Sequence, residues 1–204
     1  MQKVDFNSNQ YQGTNCKVTK DNGYVYKTLN FGFTNFEDID HFTYCYVRYA
    51  NLISKYVHIP TISILIQHEL EQQNYYFHSK ETYCGKNLIE ILLDRDYEQA
   101  LYLLENTKRI LYRIPNGIYI DAHPRNFTCL EQVIYYVDLI PPITTLESDR
   151  EYLLKNFQIY RHENRNQLER RTWRYSSKDG RISKYNYYLN NFLNEGITPP
   201  NRTH

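Results

Sequence analysis

The sequence predicts an α+β chain in which a small antiparallel sheet precedes a mainly helical part. Three observations carry that expectation. Short alternating runs at Cys16 to Lys20 and Tyr24 to Leu29 flank the tight-turn tripeptide Asp21-Asn22-Gly23, and together they read as a β-hairpin. Apolar and aromatic residues at Phe36, Ile39, Phe42, Tyr46, Tyr49, Leu52 and Ile53 recur at helical spacing and predict a helix over 36–55. Leu88 to Leu93 and Tyr97 to Tyr112 predict two more helices, the second with Leu101, Leu104, Thr107 or Lys108, and Leu111 on one stripe.

The elements between and beyond these follow from the same rules. Glu37, Asp38 and Asp40 fall in the first turns of the 36–55 helix, where acids favour the positive end of the helix dipole. Ile59 to Ile66 and Asn74 to His78 read as two further strands around the polar turn His68 to Gln73. Pro115-Asn-Gly117 stops the long helix. Beyond it, Phe127-Thr-Cys and Val133 to Val137 flank the polar break Leu130-Glu-Gln132 and read as a second hairpin. Pro141-Pro142 cannot continue a helix, so a turn or extended segment follows. Leu146 to Tyr160 then reads as a helix, and Ser183 to Leu193 as a last short element.

The second hairpin bears on chemistry. Asp121 and Asn126 lie on a loop held by Pro124, and Asp138 ends the apolar run Val133-Ile-Tyr-Tyr-Val, so folding the hairpin brings the three polar residues together. Transfer of a γ-phosphoryl group needs a carboxylate to orient the attacking hydroxyl and accept its proton, and it needs hard oxygen ligands for Mg²⁺. Asp121 suits the first role, Asn126 and Asp138 the second. The competing reading is an ordinary loop, because Asp and Asn are common turn residues.

Asp121, His123, Pro124 and Asn126 match Asp-x-His-Pro-x-Asn, and the segment resembles the catalytic and metal-binding loops of the protein kinase-like superfamily, in particular its aminoglycoside and choline phosphotransferase branch. Two positions depart from that pattern. Tyr119 stands where a His is usual, and Leu139-Ile140 replaces the Phe-Gly pair after the metal-binding Asp. The resemblance covers about residues 10–140. It implies a two-lobed fold, with a small antiparallel β-sheet N-lobe over residues 1–78 and a reduced, mainly helical C-lobe over 79–204, and it implies ATP in the cleft between them.

Further roles follow from the resemblance. Lys27, in Val25-Tyr-Lys27-Thr-Leu, takes the place of the lysine that pairs the α- and β-phosphates, with Lys17 and Lys20 as alternatives. Gly13, in Gly13-Thr-Asn-Cys16, stands where a glycine-rich loop would cover the phosphates. A helix acid would meet the lysine, and Glu37 has the longest reach of the three candidates; the usual positions for this acid hold Thr43 to Tyr46. Residues 81–83 take the place of the hinge, with backbone groups of Glu81 to Tyr83 meeting an adenine edge ahead of Gly85-Lys-Asn-Leu88.

Composition narrows the class. At 204 residues with a net charge of +1, the chain can bury a core of this kind and carries no strong global field for nucleic acid or membrane. No apolar run approaches the roughly 20 residues that span a bilayer. The N-terminus Met-Gln-Lys-Val-Asp-Phe lacks the order of a secretion signal, and Cys16, Cys45, Cys84 and Cys129 show no zinc or disulfide spacing. The expected compartment is therefore cytoplasm, the cell's own or another cell's after delivery. A basic stretch over 161–184 (Arg161, Arg165, Arg170, Arg171, Arg174, Lys178, Arg181, Lys184) reads as a solvated face or as a site for an anionic partner. The functional expectation is an ATP- and Mg²⁺-dependent phosphotransferase acting on a hydroxyl of a small molecule or a protein. A pseudokinase-type binding module and a kinase-like nucleotidyltransferase are the alternatives.

Overall fold

The computed structural model describes residues 10–12, 16–71, 73–141 and 175–194. Gly13, the expected helix over 146–160, Trp173, and Arg161, Arg165, Arg170, Arg171 and Arg174 lie outside the described residues. The chain divides into two compact units, one of Met1–Arg48 with Pro60–Tyr83 and one of Tyr49–Ile59 with Cys84–His204. No helix among the described residues is long and apolar enough to cross a membrane.

The first unit is an antiparallel sheet. Strands β1 (Gln10–Gln12), β2 (Cys16–Asp21), β3 (Tyr24–Leu29), β4 (Ile62–Glu69) and β5 (Asn74–Thr82) run in the order β1-β2-β3-β5-β4, so β1 is a three-residue edge beside four full strands. The β2–β3 turn is the tight hairpin that Asn22-Gly23 predicts. Both residues have positive φ, 47° and 79°, which glycine and asparagine adopt at least cost and which matches the twist of the flanking strands. The strand expected to end at His78 continues to Thr82 with ladder bonds on both sides, and the division between units therefore falls after Tyr83 rather than after His78.

Helix α1 (Phe36–Ile53) begins in this unit. Asn35 caps it: its side-chain oxygen accepts the Asp38 N–H at 2.8 Å, and Glu37 and Asp38 occupy the first turn. Its inward face is aromatic. Phe42 meets Phe33 at 5.4 Å and Phe77 edge-on at 5.0 Å, Tyr46 meets Phe77 at 5.0 Å, and Ile39 is fully buried. Such edge and tilted pairs add to the area that the rings bury.

The second unit contains β6 (Lys86–Asn87), α2 (Leu88–Leu93), α3 (Tyr97–Arg113), β7 (Phe127–Leu130), β8 (Val133–Tyr136) and α4 (Lys178–Asn194). Asn87 caps α2 in a capping box with Glu90, and Asp96 caps α3. The buried stripe of α3 is Ala100, Leu103, Thr107 and Leu111; Thr107 and Leu111 lie where expected, whereas Leu101 is exposed because the inner face of the first turns is centred on Ala100 and Leu103. β7 and β8 form the expected hairpin, with Glu131 and Gln132 at φ 49° and 61° in its turn, and β6 adds to β7 as a third strand. Gly85 makes that addition possible. Its φ is +87°, and a Cβ there would lie 1.9 Å from the carbonyl oxygen of Cys129.

The last helix begins earlier than Ser183, at Lys178, and it holds the loop ahead of Asp121. Arg181, fully buried, donates to the carbonyls of Ile118 (2.8 Å), Ser176 (2.9 Å), Ile114 (2.6 Å) and Pro115 (3.4 Å). The Ile120 and Gly117 N–H groups donate to Tyr175 and Ser176 carbonyls at 3.1 and 2.9 Å. A guanidinium that satisfies carbonyls a helix end leaves open fixes the exit of α3 and the segment that follows.

Candidate functional site

Each unit carries part of the expected constellation. In the first, Lys27 on β3 and Glu81 on β5 are diagonal neighbours on one sheet face, since Lys27 stands opposite Ser79 and Val25 opposite Glu81. The Lys27 ammonium donates to Glu81 Oε2 at 2.7 Å, while Oε1 accepts from the hydroxyls of Tyr46 (3.1 Å) and Ser79 (3.0 Å). Both carboxylate oxygens are engaged. The Glu81 side chain is 2% exposed, whereas Lys27 retains 15%.

This arrangement corrects two expectations. Glu37 is exposed at the start of α1, and the acid that meets Lys27 comes from the neighbouring strand. Tyr46, in the stretch Thr43 to Tyr46 where the resemblance would put an acid, supplies a hydroxyl to that strand carboxylate instead. Glu81 lies inside β5 rather than at a hinge. The N–H of Thr82 donates to the Thr61 carbonyl at 3.0 Å and that of Tyr83 to the Gly23 carbonyl at 2.9 Å, so these donors are spent within the sheet rather than held for an adenine.

In the second unit, Asp121, Asn126 and Asp138 come together as the hairpin predicts. The Asn126 side-chain amide donates to the Asp121 backbone carbonyl and to Asp138 Oδ2, each at 3.3 Å. A 3₁₀ turn over Pro124–Asn126 makes this possible, with Asn126 N–H on the His123 carbonyl and Val137 N–H on the Asn126 carbonyl, both at 2.9 Å. No described residue donates to Asn126 Oδ1. That amide oxygen and the Asp138 carboxylate are hard donors suited to Mg²⁺, which takes few protein ligands and completes its shell with phosphate and water. Among the described residues no cluster of three or more His, Cys, Asp or Glu that could hold a metal ion occurs.

A hydroxyl relay fixes the backbone at Asp121. Its N–H donates to the Tyr136 oxygen at 3.1 Å, Tyr136 bonds Tyr49, and the Tyr49 hydroxyl donates to the Tyr119 carbonyl at 3.2 Å. Burial raises both phenols well above their ordinary range, with Asp138 and Asp121 adding repulsion to any phenolate, so both remain protonated donors.

The Asp121 carboxylate is held at one oxygen. Oδ1 accepts the His123 N–H at 3.0 Å and the Lys184 ammonium at 2.8 Å. Oδ2 receives no bond from a described residue, and the side chain is 30% exposed. Lys184, on α4, lies over the Tyr175 ring at 3.3 Å and 5.6 Å from that of Tyr188. His123 meets the Tyr188 ring at 4.2 Å in a tilted contact, and its pKa is pushed down to about 4, chiefly by burial. The neutral ring uses Nδ1 to accept the Arg125 N–H at 3.1 Å.

Of the described cations of the basic stretch, Arg181 and Lys184 are buried and Lys178 is half-buried. Arg181 is spent on carbonyls, Lys184 on Asp121, and Lys178 stands over Tyr112 at 5.1 Å. Lys184, Tyr136 and Tyr49 escape motif reading because their positions depend on register and helix phase. The helical spacing of Arg181, Lys184, Tyr185, Tyr188 and Leu189 is the available signal, a charged pair set within a buried stripe. In comparisons with known proteins, no protein-family model and no curated protein matches this chain.

Proposed function

We propose that the protein is an ATP- and Mg²⁺-dependent phosphotransferase of protein kinase-like form, moving the γ-phosphoryl group to a hydroxyl of a small molecule or a protein. The observation that supports this reading is the Asn126 amide bonded at once to the Asp121 backbone carbonyl and the Asp138 carboxylate, which ties the loop of the proposed base to two hard oxygen donors. The exposure of the two ion pairs supports it. Lys27 is the outward partner of its pair and suits the α- and β-phosphates; Asp121 is the outward partner of its own and suits a proton acceptor.

In the proposed step the acceptor hydroxyl donates to Asp121 Oδ2. Its oxygen attacks the γ-phosphorus, the bond from that phosphorus to the β-bridging oxygen breaks, and the electron pair leaves with ADP while the proton passes to Oδ2. Asn126 Oδ1 and Asp138 are assigned to Mg²⁺, which when bound supplies charge neutralisation to the phosphates. The Tyr136–Tyr49 relay holds the Asp121 backbone, so the carboxylate needs little reorganisation during transfer.

The test is incubation of the whole chain with Mg²⁺ and ATP labelled at either the α- or the γ-phosphate, following label into the protein, a cell lysate and a metabolite panel. Transfer from γ alone is expected. Label from α would favour nucleotidyl transfer, and none from either would leave a binding module.

A further inference from the structure

Lys184 is a buried cation that the phosphotransfer reading does not by itself require. It reaches Asp121 from α4, is buried, and rests on the Tyr175 ring. We propose that Lys184 is a positioning residue for transfer, clamping Asp121 Oδ1 so that Oδ2 alone faces the acceptor; this rests on the reading of Asp121 as the base. A carboxylate side chain turns readily about its last bond, and that torsion is broad and two-fold. An oxygen that accepts both the Lys184 ammonium and the His123 N–H is held against that rotation, and its twin is left to take a proton.

The clamp is itself fixed. Lys184 occupies the buried face of α4 with Tyr185 and Leu189, and Arg181, one turn earlier, ties the same helix to the carbonyls of residues 114, 115 and 118. Tyr188 contacts both Lys184 and the His123 ring, so the two donors to Oδ1 share a packing partner. A purely structural lysine would explain the burial equally well. The two roles separate in kinetics, because a structural role changes stability and leaves turnover of the folded protein alone.

The experiment is a double-mutant cycle on γ-label transfer by the whole chain, with Lys184→Met, Asp121→Asn and the double variant, each checked for folding by circular dichroism. Lys184→Met is expected to lower kcat by about ten- to a hundredfold with the ATP KM unchanged, the scale of a misplacement of about 1 Å. In the Asp121→Asn background the same change is expected to have no further effect, since Lys184 acts through the carboxylate. If Lys184→Met fails to fold, Lys184→Arg replaces it in both backgrounds, with the same loss expected in the first and none in the second because the altered fork misplaces Oδ1. Equal kcat in wild type and a folded Lys184 variant would overturn the clamp while leaving the phosphotransferase reading in place, as would a full, additive loss in the double variant. A wild-type chain that transfers no γ-label would overturn both.

Discussion

Each unit pairs a lysine with a carboxylate, and the two pairs are built with opposite exposure. In Lys27–Glu81, at 2.7 Å, the acid is 2% exposed and saturated by three donors, and the lysine is the end that faces out. In Lys184–Asp121, at 2.8 Å, the lysine is 7% exposed and the acid, at 30%, has an oxygen to spare. Similar distances thus leave opposite ends of the pair exposed. A saturated acid beneath a lysine fixes where a positive charge is offered, whereas a buried lysine beneath an acid fixes where a negative charge is offered. Phosphoryl transfer needs one of each, a cation for the phosphates and a base for the hydroxyl.

The comparison can be broken or sharpened by substitution. The largest effect belongs to neither pair. Asp138→Ala is expected to keep the fold and lower Mg²⁺-dependent transfer by at least about a thousandfold, because it removes the charged donor beside Asn126. Near-normal turnover in the folded variant would refute the metal assignment.

Next come the two acids. Glu81→Ala leaves a mostly buried ammonium and two hydroxyls without their acceptor, and chemical denaturation is expected to show a loss of about 3 kcal/mol. Asp121→Ala is expected to cost a similar amount, since the ammonium it strands is only 7% exposed, with the Tyr175 ring as its remaining partner. A loss well under about 1 kcal/mol for Asp121→Ala would show that Lys184 does not depend on the carboxylate for its burial.

The smallest effect tests the relay. Tyr136→Phe removes the acceptor of the Asp121 N–H, and about 1–2 kcal/mol of stability should go with it. A variant as stable as wild type would mean that the hydroxyl does not hold the Asp121 backbone.

Much of this is legible in the sequence. Asn22-Gly23 specifies its hairpin by backbone sterics alone, and the Phe36-to-Ile53 pattern specifies its helix by period. The Asp121, Asn126 and Asp138 cluster was legible because a hairpin of short reach leaves few ways to place its ends. What was not legible depends on non-local register. Glu81 became a partner of Lys27 through the alignment of β3 with β5 across a separation of 54 residues, which no local pattern encodes. Lys184 depended on the phase of α4, where a cation in the buried stripe was indistinguishable by charge count from its solvated neighbours.

Asp121→Asn tests the central claim most directly, because it keeps the size of the side chain and an acceptor for Lys184 and His123 while removing the capacity to take a proton. Single-turnover transfer from γ-labelled ATP, measured beside calorimetric binding of ATP with Mg²⁺, is expected to fall by roughly two to four orders of magnitude with binding as in wild type. Transfer at the wild-type rate, or a loss fully explained by weaker ATP binding, would contradict the assignment of Asp121 as the base.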